Sequence, residues 1–403
     1  MPAERPGDPF RLGVNYWPAS SAMAWWSRFD AAEVRRDLER VAANGMDSLR
    51  LFLLWEAFQP SPNRVDRQML GRLVEVADIA EAAGVGIMPT LFTGHMSGVN
   101  WIPSWAVGGS RRDARFRVVS GGRVVDAGLR DWFTDDEVGG AQALFARQAA
   151  AALAGHPALW MWDLGNEHSN CVVPHDRDQA RRWLAQISGA IRAADPDALI
   201  TIGLHMEDLE QDRRLGPREA AEVCDLLTMH GYPIYASWSQ GPLDEHLVPF
   251  LASITRWLGG GAEVLFSEFG LPTFPAGGGA RPGHGPAFVS EADAATYTAH
   301  ALDGLREAGC VGAMLWCYAD YDPKLWAAPP LDEAPHERSF GLWRADGTPK
   351  PSVTEVAAFA GRTRLEPGPH DWIDIDQGEY WREPGAHLAR LYGRCRRRPA
   401  PRS

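Results

Sequence analysis

Hydrophobic positions along the chain follow two alternating patterns. After Asp30, Val34, Leu38 and Val41 recur at helical spacing on one face of a predicted helix. The following stretch, SLRLFLLW at 48–55, is almost entirely apolar, which is typical of a strand buried on both faces of a parallel sheet. This part of the chain therefore predicts a helix followed by a buried strand.

The same succession is repeated downstream. Helical patterns at 69–83 and 140–154 lead into strand patterns at 85–92 and 159–167. Further strand patterns lie at 11–17, 198–204, 225–233, 262–270 and 311–320. Further helical patterns lie at 177–194, 244–258, 290–308 and 352–362. The short connection between the fifth and sixth strands is less clearly helical.

Eight strands that alternate with helices predict an α/β protein with a parallel sheet and right-handed crossovers. Eight such units close into a (β/α)₈ TIM barrel, here assigned to residues 1–362. An open doubly wound sheet is the alternative, although no GxGxxG follows the first strand. We expect residues 363–403 to form a C-terminal extension that packs on the barrel or is partly exposed.

A long loop, 93–139, follows the third strand, on the face where such barrels carry their active sites. It contains Trp101, Trp105 and Trp132, which either contribute to function or pack over the end of the barrel.

Polar residues appear abruptly where two apolar strands end. The fourth strand ends in Asp163, Gly165, Asn166, Glu167 and His168. The seventh ends in Ser267 and Glu268. Because these strands are not neighbours in the predicted ring, Glu167 and Glu268 can face each other across the barrel mouth.

A carboxyl pair of this kind is typical of glycoside hydrolysis, in which one group protonates the departing oxygen and the other meets the developing oxocarbenium ion. A gap of about 5–5.5 Å gives retention of configuration, and about 6.5–9.5 Å gives inversion. The sequence alone leaves this choice open.

The two roles require different pKa values. Arg50, near the end of the second strand, and Tyr232, after the sixth, are candidates to hold Glu268 ionised through hydrogen bonds. Glu167 would then have a raised pKa. His230 lies on the same side of the sixth strand as Tyr232 and could support the acid or a sugar hydroxyl.

Several motifs resemble glycoside hydrolase family 5 and its wider clan. They are WDLGNE with Asn166 and Glu167, LFSEFG with Glu268, HGYP of the sixth strand, and Trp316 at the end of the eighth. The resemblance implies a retaining enzyme with Glu167 as acid/base and Glu268 as nucleophile. Asn166 would bind the sugar 2-hydroxyl.

The resemblance also implies roles for residues around this pair. Arg50, His230 and Tyr232 would support the carboxylates, His95 would bind the sugar, and Trp316 would form the floor beneath it. Asn15, Trp17, Trp55, Glu56, Asp163, His168, Asp320 and Asp322 remain candidates for either sugar contacts or packing.

Three further segments, GVNYWPAS, RLFLLWEAFQP and SFGLWRADGTPKPS, are similar to bacterial family 5 proteins that include intracellular-type β-mannosidases. This resemblance ranks β-mannosides first among the substrates, and the lack of a secretory signal at the N-terminus favours exo action on small, imported oligosaccharides. The 93–139 loop and segment 320–343, with Trp326 and Trp343, could close one end of the cleft. The alternatives are an endo-β-mannanase, a β-glucanase or β-glucosidase, and an inactive sugar-binding barrel, which would have lost a carboxylate.

Composition and the absence of certain motifs argue against several other classes of function. The 17 Trp favour a carbohydrate site, because indole faces stack on sugar rings. The net charge of −12 argues against a nucleic-acid partner. The 12 His form no HxH or HExxH motif, and GxSxG is absent, so we expect no catalytic metal, no cofactor and no serine nucleophile.

Cellular location is predicted from the N-terminus and the cysteines. The opening MPAERPGDPF lacks the apolar stretch of a secretory signal, no run of about 18 apolar residues occurs, and five Cys without CxxC spacing fit reduced thiols. These features favour a cytoplasmic protein without a membrane anchor, although prior removal of a signal would look the same. The oligomeric state stays open.

Overall fold

Eight parallel strands lie at the centre of the protein, and the computed structural model describes residues 7–110, 112, 114–274 and 286–397. The strands are β1 Arg11–Tyr16, β2 Ser48–Phe52, β3 Gly86–Thr90, β4 Trp162–Asn166, β5 Ile200–Gly203, β6 Leu227–His230, β7 Val264–Phe269 and β8 Gly312–Leu315. Parts of three predicted segments lie outside the described residues: 1–6 and 275–285 of the barrel segment, 111 and 113 of the long loop, and 398–403 of the extension.

A main helix follows each strand, and two additional four-residue helices, Trp55–Phe58 and Glu207–Glu210, lie after β2 and β5. The main helices are α1 Ala31–Ala43, α2 Arg67–Ala83, α3 Asp136–Leu153, α4 Arg177–Arg192, α5 Pro217–Ala221, α6 Leu247–Leu258, α7 Glu291–Glu307 and α8 Pro351–Phe359. The carboxylates of Asp30, Asp66 and Asp135 accept backbone N–H groups at the starts of α1, α2 and α3. The less regular connection between the fifth and sixth strands contains α5, which has only five residues.

The strands close into a ring. β1 pairs with both β2 and β8, and parallel pairing continues from β2 through β3 and β4 to β5 and from β6 through β7 to β8. A parallel bridge between His205 and His230 joins the ends of β5 and β6. Backbone N–H groups of Asp225 and His230 also donate to the carbonyls of Ile200 and Leu204, both at 2.8 Å. The predicted (β/α)₈ barrel is therefore confirmed, and the open doubly wound alternative is wrong.

Apolar side chains from strands on opposite sides of the ring fill its lower interior. A separate buried cluster comprises Met88, Trp160, Met161, Leu226, Leu265, Val311 and Met314. Because none of these residues is the last of its strand, the carboxyl ends are free to carry polar groups.

The long loop after β3 has its own structure. Its short strands Gly94–Met96, Val99–Trp101, Arg117–Ser120 and Arg123–Val125 extend the sheet beyond the barrel. Two of its tryptophans pack on Trp55, which follows β2: the Trp55 ring lies 5.2 Å from Trp105 and 6.4 Å from Trp132.

The described part of the C-terminal extension contains α9 Gln377–Tyr380 and α10 Pro384–Arg396. Tyr380 donates through its hydroxyl to the carbonyl of Leu209 at 2.7 Å, and Tyr392 donates to Asp244 at 2.5 Å. These contacts attach the extension to segments that flank β5 and β6. Among the described residues, none of the helices has the length and apolar character needed to span a bilayer.

Candidate active site

The end of β4 has an irregular backbone that directs its polar side chains into the barrel mouth. Its register against β5 shifts between Asp163 and Asn166. Gly165 has φ +141°, and a Cβ there would lie 2.0 Å from His168 Nε2, so this position requires glycine. Glu167 itself has φ +49°, a strained left-handed conformation that is uncommon for residues with side chains.

Arg50 on β2 is fully buried and connects several strands. Its guanidinium donates to Asp163 through Nε at 2.9 Å and Nη2 at 2.6 Å, and to Asn166 Oδ1 at 2.7 Å. Nη1 donates to Glu268 Oε1 at 2.5 Å. Asp163 also accepts from Thr90 Oγ1 at 2.7 Å, so it is a structural anchor for Arg50.

Glu268 on β7 is held on both carboxylate oxygens. Its Oε1 accepts a hydrogen bond from Arg50 Nη1, and its Oε2 accepts one from the hydroxyl of Tyr232 at 2.9 Å. Burial raises the pKa of Glu268 to about 7, although Arg50 and Tyr232 both act to lower it. Desolvation thus outweighs the two hydrogen bonds by which Arg50 and Tyr232 favour the ionised form of Glu268.

Glu167 has a different set of neighbours. Its Oε1 lies 3.0 Å from His230 Nδ1, and its Oε2 accepts from Asn170 Nδ2 at 3.0 Å. Burial, followed by the nearby charge of Glu268, raises the pKa of Glu167 well above its ordinary value. Burial also lowers the pKa of His230 well below its ordinary value, so this imidazole is neutral at physiological pH.

The two carboxylates are close enough to interact strongly. One carboxylate oxygen of each glutamate and one ring nitrogen of His230 all lie within 4.8 Å of one another. Because only Glu268 contacts a guanidinium directly, a proton shared by the pair is held preferentially by Glu167. This arrangement can supply one acid and one carboxylate at the same pH.

A pocket of about 590 Å³ surrounds the pair. The predicted residues His95, Asn166, His230, Tyr232 and Trp316 all line it, with Arg50 behind Asn166 and Glu268. Burial lowers the pKa of His95 to about 3, and its Nδ1 lies 2.8 Å from Asn100 Oδ1. The pocket is within the size range of small-molecule sites.

Sequence reasoning missed several pocket residues that come from loops. They are Ser97, Arg115, Phe116, Asn170, His205, Glu207, Tyr235, His336 and Glu337. Glu337 is a third buried carboxylate, which accepts from Ser97 at 3.0 Å and from Trp316 Nε1 at 3.3 Å. Only His205 directly follows a predicted strand, so the pattern that identified Glu167 gave no signal for the others.

Other candidate sugar contacts serve the fold. His168 packs against Trp183 at 4.7 Å, Asp320 accepts from Lys350 at 2.7 Å, and Asn15 Oδ1 accepts from Arg50 at 3.2 Å. Trp343 packs against Tyr318 at 5.0 Å. The pocket is therefore lined by Ser97 and Phe116 of the long loop and by Glu337 of segment 320–343, and not by the tryptophans of these two segments.

Two groups among the described residues bring three potential metal-ligating atoms within 4.8 Å. One is Glu167, His230 and Glu268, and the other is the surface group Asp78, Glu81 and His156. In the first group Arg50 already supplies the positive charge beside Glu268. In this group the positive charge next to the carboxylates comes from a guanidinium, an arrangement suited to proton transfer between carboxyl groups and substrate.

Comparisons with known proteins identify the family to which this chain is similar. The family model described as Cellulase (glycosyl hydrolase family 5) matches residues 6–321. The exo-β-1,4-mannosidase of Opitutaceae bacterium strain TAV5 is 28% identical, with a TM-score of 0.70, over 87% of this chain. This chain spans 59% of the length of that enzyme.

Two other solved structures share the fold. GH5_18 from Streptomyces cattleya in complex with GlcNAc has 23% identity and a TM-score of 0.78, covering 96% of this chain and 90% of that one. A variant of it in complex with Manβ1-4GlcNAc has a TM-score of 0.73 at 23% identity, covering 94% and 87%. No curated protein sequence matches significantly. The family match covers most of the chain, and the protein belongs to glycosyl hydrolase family 5, as a glycoside hydrolase.

Proposed function

We propose that the protein is a retaining, exo-acting β-mannosidase, with Glu167 as acid/base and Glu268 as nucleophile. The observation that carries this proposal is the separation of less than 4.8 Å between their nearest carboxylate oxygens. This short gap supports direct attack, because inversion requires about 6.5–9.5 Å between the groups for an intervening water.

In the first step, a carboxylate oxygen of Glu268 attacks the anomeric carbon as its bond to the glycosidic oxygen breaks. The proton of Glu167 passes to the departing oxygen. In the second step, ionised Glu167 takes a proton from water, the water oxygen attacks the anomeric carbon, and Glu268 leaves as a carboxylate. Two inversions at one carbon give net retention.

Each neighbour of the pair has a part in this reaction. Arg50 and Tyr232 hold Glu268 for attack through its two oxygens. Asn166 accepts a hydrogen bond from Arg50 through Oδ1 and donates one amide N–H to the carbonyl of His95. Its second amide N–H is therefore available to a sugar hydroxyl. Trp316 and His95 provide an apolar face and a neutral imidazole for the sugar.

Exo action is supported by contacts between the loops that follow β3 and β8. Ser97 donates to Glu337, and Arg117 contacts Asp332 at 2.9 Å and Glu333 at 3.1 Å. These contacts join the two loops where Ser97 and Glu337 line the pocket, and we take this side as its closed end. A closed end of this kind fits a terminal sugar.

Mannose is favoured as that sugar by the Opitutaceae enzyme, whose name gives exo-β-1,4-mannosidase activity. A β-glucosidase is the second candidate, since the two sugars differ in the orientation of one hydroxyl. Purified protein should be incubated with aryl β-mannoside, β-glucoside and β-galactoside, and with a soluble β-mannan. Release of aryl alcohol mainly from the mannoside, with little internal cleavage of mannan, is the expected result. Cleavage only inside the polymer would refute exo action.

The alternative that the protein is an inactive sugar-binding barrel is tested by substituting Glu268. Glu268→Gln should reduce kcat at least about a thousand-fold, because it removes the nucleophile, and should leave mannose binding within a few-fold of wild type. Binding without turnover by the wild-type protein would favour the inactive alternative.

A further inference from the structure

Asn170 links the carboxylate of Glu167 to a loop arginine. Its Nδ2 donates to Glu167 Oε2 at 3.0 Å, and its Oδ1 accepts from Arg115 Nη1 at 2.9 Å. Asn170 is buried, and its carbonyl accepts from Asn100 Nδ2 at 3.1 Å. Both ends of the side-chain amide and the backbone of this residue are thus engaged.

The chemistry of Arg115 determines which way this amide points. A guanidinium has only donors, so the group of Asn170 that faces it must be the carbonyl oxygen. The amide nitrogen then faces Glu167 and can only donate to it. If the amide were flipped, its NH₂ group would face the N–H donors of Arg115, and its oxygen would face the carboxylate oxygen of Glu167.

Arg115 is itself fixed from two sides. Its Nη2 donates to Glu207 Oε1 at 2.6 Å, Nη1 contacts Glu207 Oε2, and the guanidinium lies 4.9 Å from the ring of Phe116. Glu207 also accepts from Arg213 Nη2 at 3.0 Å. The Arg115 side chain is 40% exposed but is held in one orientation by these partners.

We propose that Arg115 and Asn170 are positioning residues, which fix the carboxylate of Glu167 and stabilise its ionised form when it acts as base. This rests on the acid/base role proposed above for Glu167. The long loop after β3 thereby contributes to the second step of the reaction through Asn170, in addition to lining the pocket.

Several ionisable groups surround Glu167, and their effects on its pKa have opposite signs. Those that face it are His230, Glu268, Asp208, Glu207, Arg50, Arg115, Cys171, Tyr232 and Tyr235. Burial and the neighbouring carboxylates favour its protonated form. The hydrogen bond that Asn170 Nδ2 donates to Glu167 favours the ionised form of the carboxylate. Loss of the Asn170 amide should therefore raise the pKa of Glu167.

The test is a titration that does not depend on turnover. The carboxyl carbon of Glu167 can be followed by ¹³C NMR in glutamate-labelled protein, with Glu167→Gln used for assignment. In Asn170→Ala the apparent pKa should rise by about one pH unit, the scale expected for one hydrogen bond to a charged group. The rate of the second step, measured as kcat on a dinitrophenyl β-mannoside, should fall about tenfold as a result.

Arg115→Lys and Arg213→Lys form a matched pair, because both keep the charge near Glu207 and only the first loses a contact with Asn170. Arg115→Lys should shift the titration in the same direction as Asn170→Ala, and Arg213→Lys should leave it unchanged. Adding Arg115→Lys to Asn170→Ala should cause no further shift, because the arginine acts through the amide.

An unchanged titration in folded Asn170→Ala, or equal effects of the two arginine variants, would overturn the proposal. If Asn170→Ala fails to fold, the arginine pair decides the question, since Arg115 lies at the surface. Absence of glycoside turnover by the wild-type protein, with these titration shifts present, would refute the proposed function and leave the link between Asn170 and Glu167 intact.

Discussion

Arg50 donates to Glu268 across the barrel, from β2 to β7, at 2.5 Å, and both side chains are buried. The same guanidinium binds Asp163, so one cation balances two buried carboxylates. Removing a buried charge leaves its partners unpaired in a low-dielectric environment. Stability and chemistry therefore depend on the same residue.

Arg50→Met should lower the free energy of unfolding by about 3–5 kcal/mol, because it leaves Asp163 and Glu268 without their cation. Chemical denaturation at neutral pH measures this loss. Arg117→Met is the control, since its partners Asp332 and Glu333 are at the surface, and it should cost about 1 kcal/mol or less. Equal losses in the two variants would show that Arg50 does not balance the buried pair.

The pH dependence of kcat/KM should be bell-shaped. As pH falls through about 7, Glu268 takes up a proton and loses its nucleophilic form. As pH rises through the higher pKa of Glu167, the acid is lost. Initial rates on an aryl β-mannoside between pH 5 and 10 measure both limbs. A profile that rises monotonically toward acid pH is incompatible with these assignments.

Glu167→Ala should separate the two steps. Substrates with poor leaving groups should lose at least about a hundred-fold in kcat/KM, because they need the proton, and dinitrophenyl glycosides should lose far less. Azide should restore turnover on the activated substrate and yield a β-glycosyl azide, which thin-layer chromatography and NMR identify. Formation of the α-azide would contradict attack on a covalent intermediate on Glu268.

Glu337→Ala should weaken substrate binding more than catalysis, because Glu337 joins Ser97 to Trp316 in the wall of the pocket. We expect KM for an aryl β-mannoside to rise about tenfold with kcat within about threefold of wild type. Glu333→Ala is the control on the same loop, as that side chain is 70% exposed. A fall in kcat alone would place Glu337 in the reaction instead of the sugar-binding wall.

The barrel could be predicted from sequence because strands buried on both faces give continuous apolar runs. The ends of the strands are predicted less accurately. The predicted strand 48–55 stops at Phe52, since Trp55 begins a short helix, Trp55–Phe58. The long loop was predicted as a segment, but its tryptophan content could not distinguish packing from a sugar site.

The candidate site was predictable only where it comes from strand ends. Glu167, Glu268, Arg50 and Tyr232 interrupt or follow apolar strands, and the structure brings them together as expected. Arg115, Asn170 and Glu337 depend on how loops distant in sequence meet, as Ser97 and Glu337 do. The raised pKa of Glu268 likewise depends on burial, which the local sequence does not specify.

The central claim, direct attack by Glu268, is tested most directly by trapping the intermediate. A 2-deoxy-2-fluoro-β-mannosyl fluoride carries a good leaving group and slows the second step, so the glycosylated protein should accumulate. Peptide mass mapping should place one fluoromannosyl group on Glu268, with parallel loss of activity. Labelling of Glu167, or first-formed product of inverted configuration and no covalent adduct, would contradict the account.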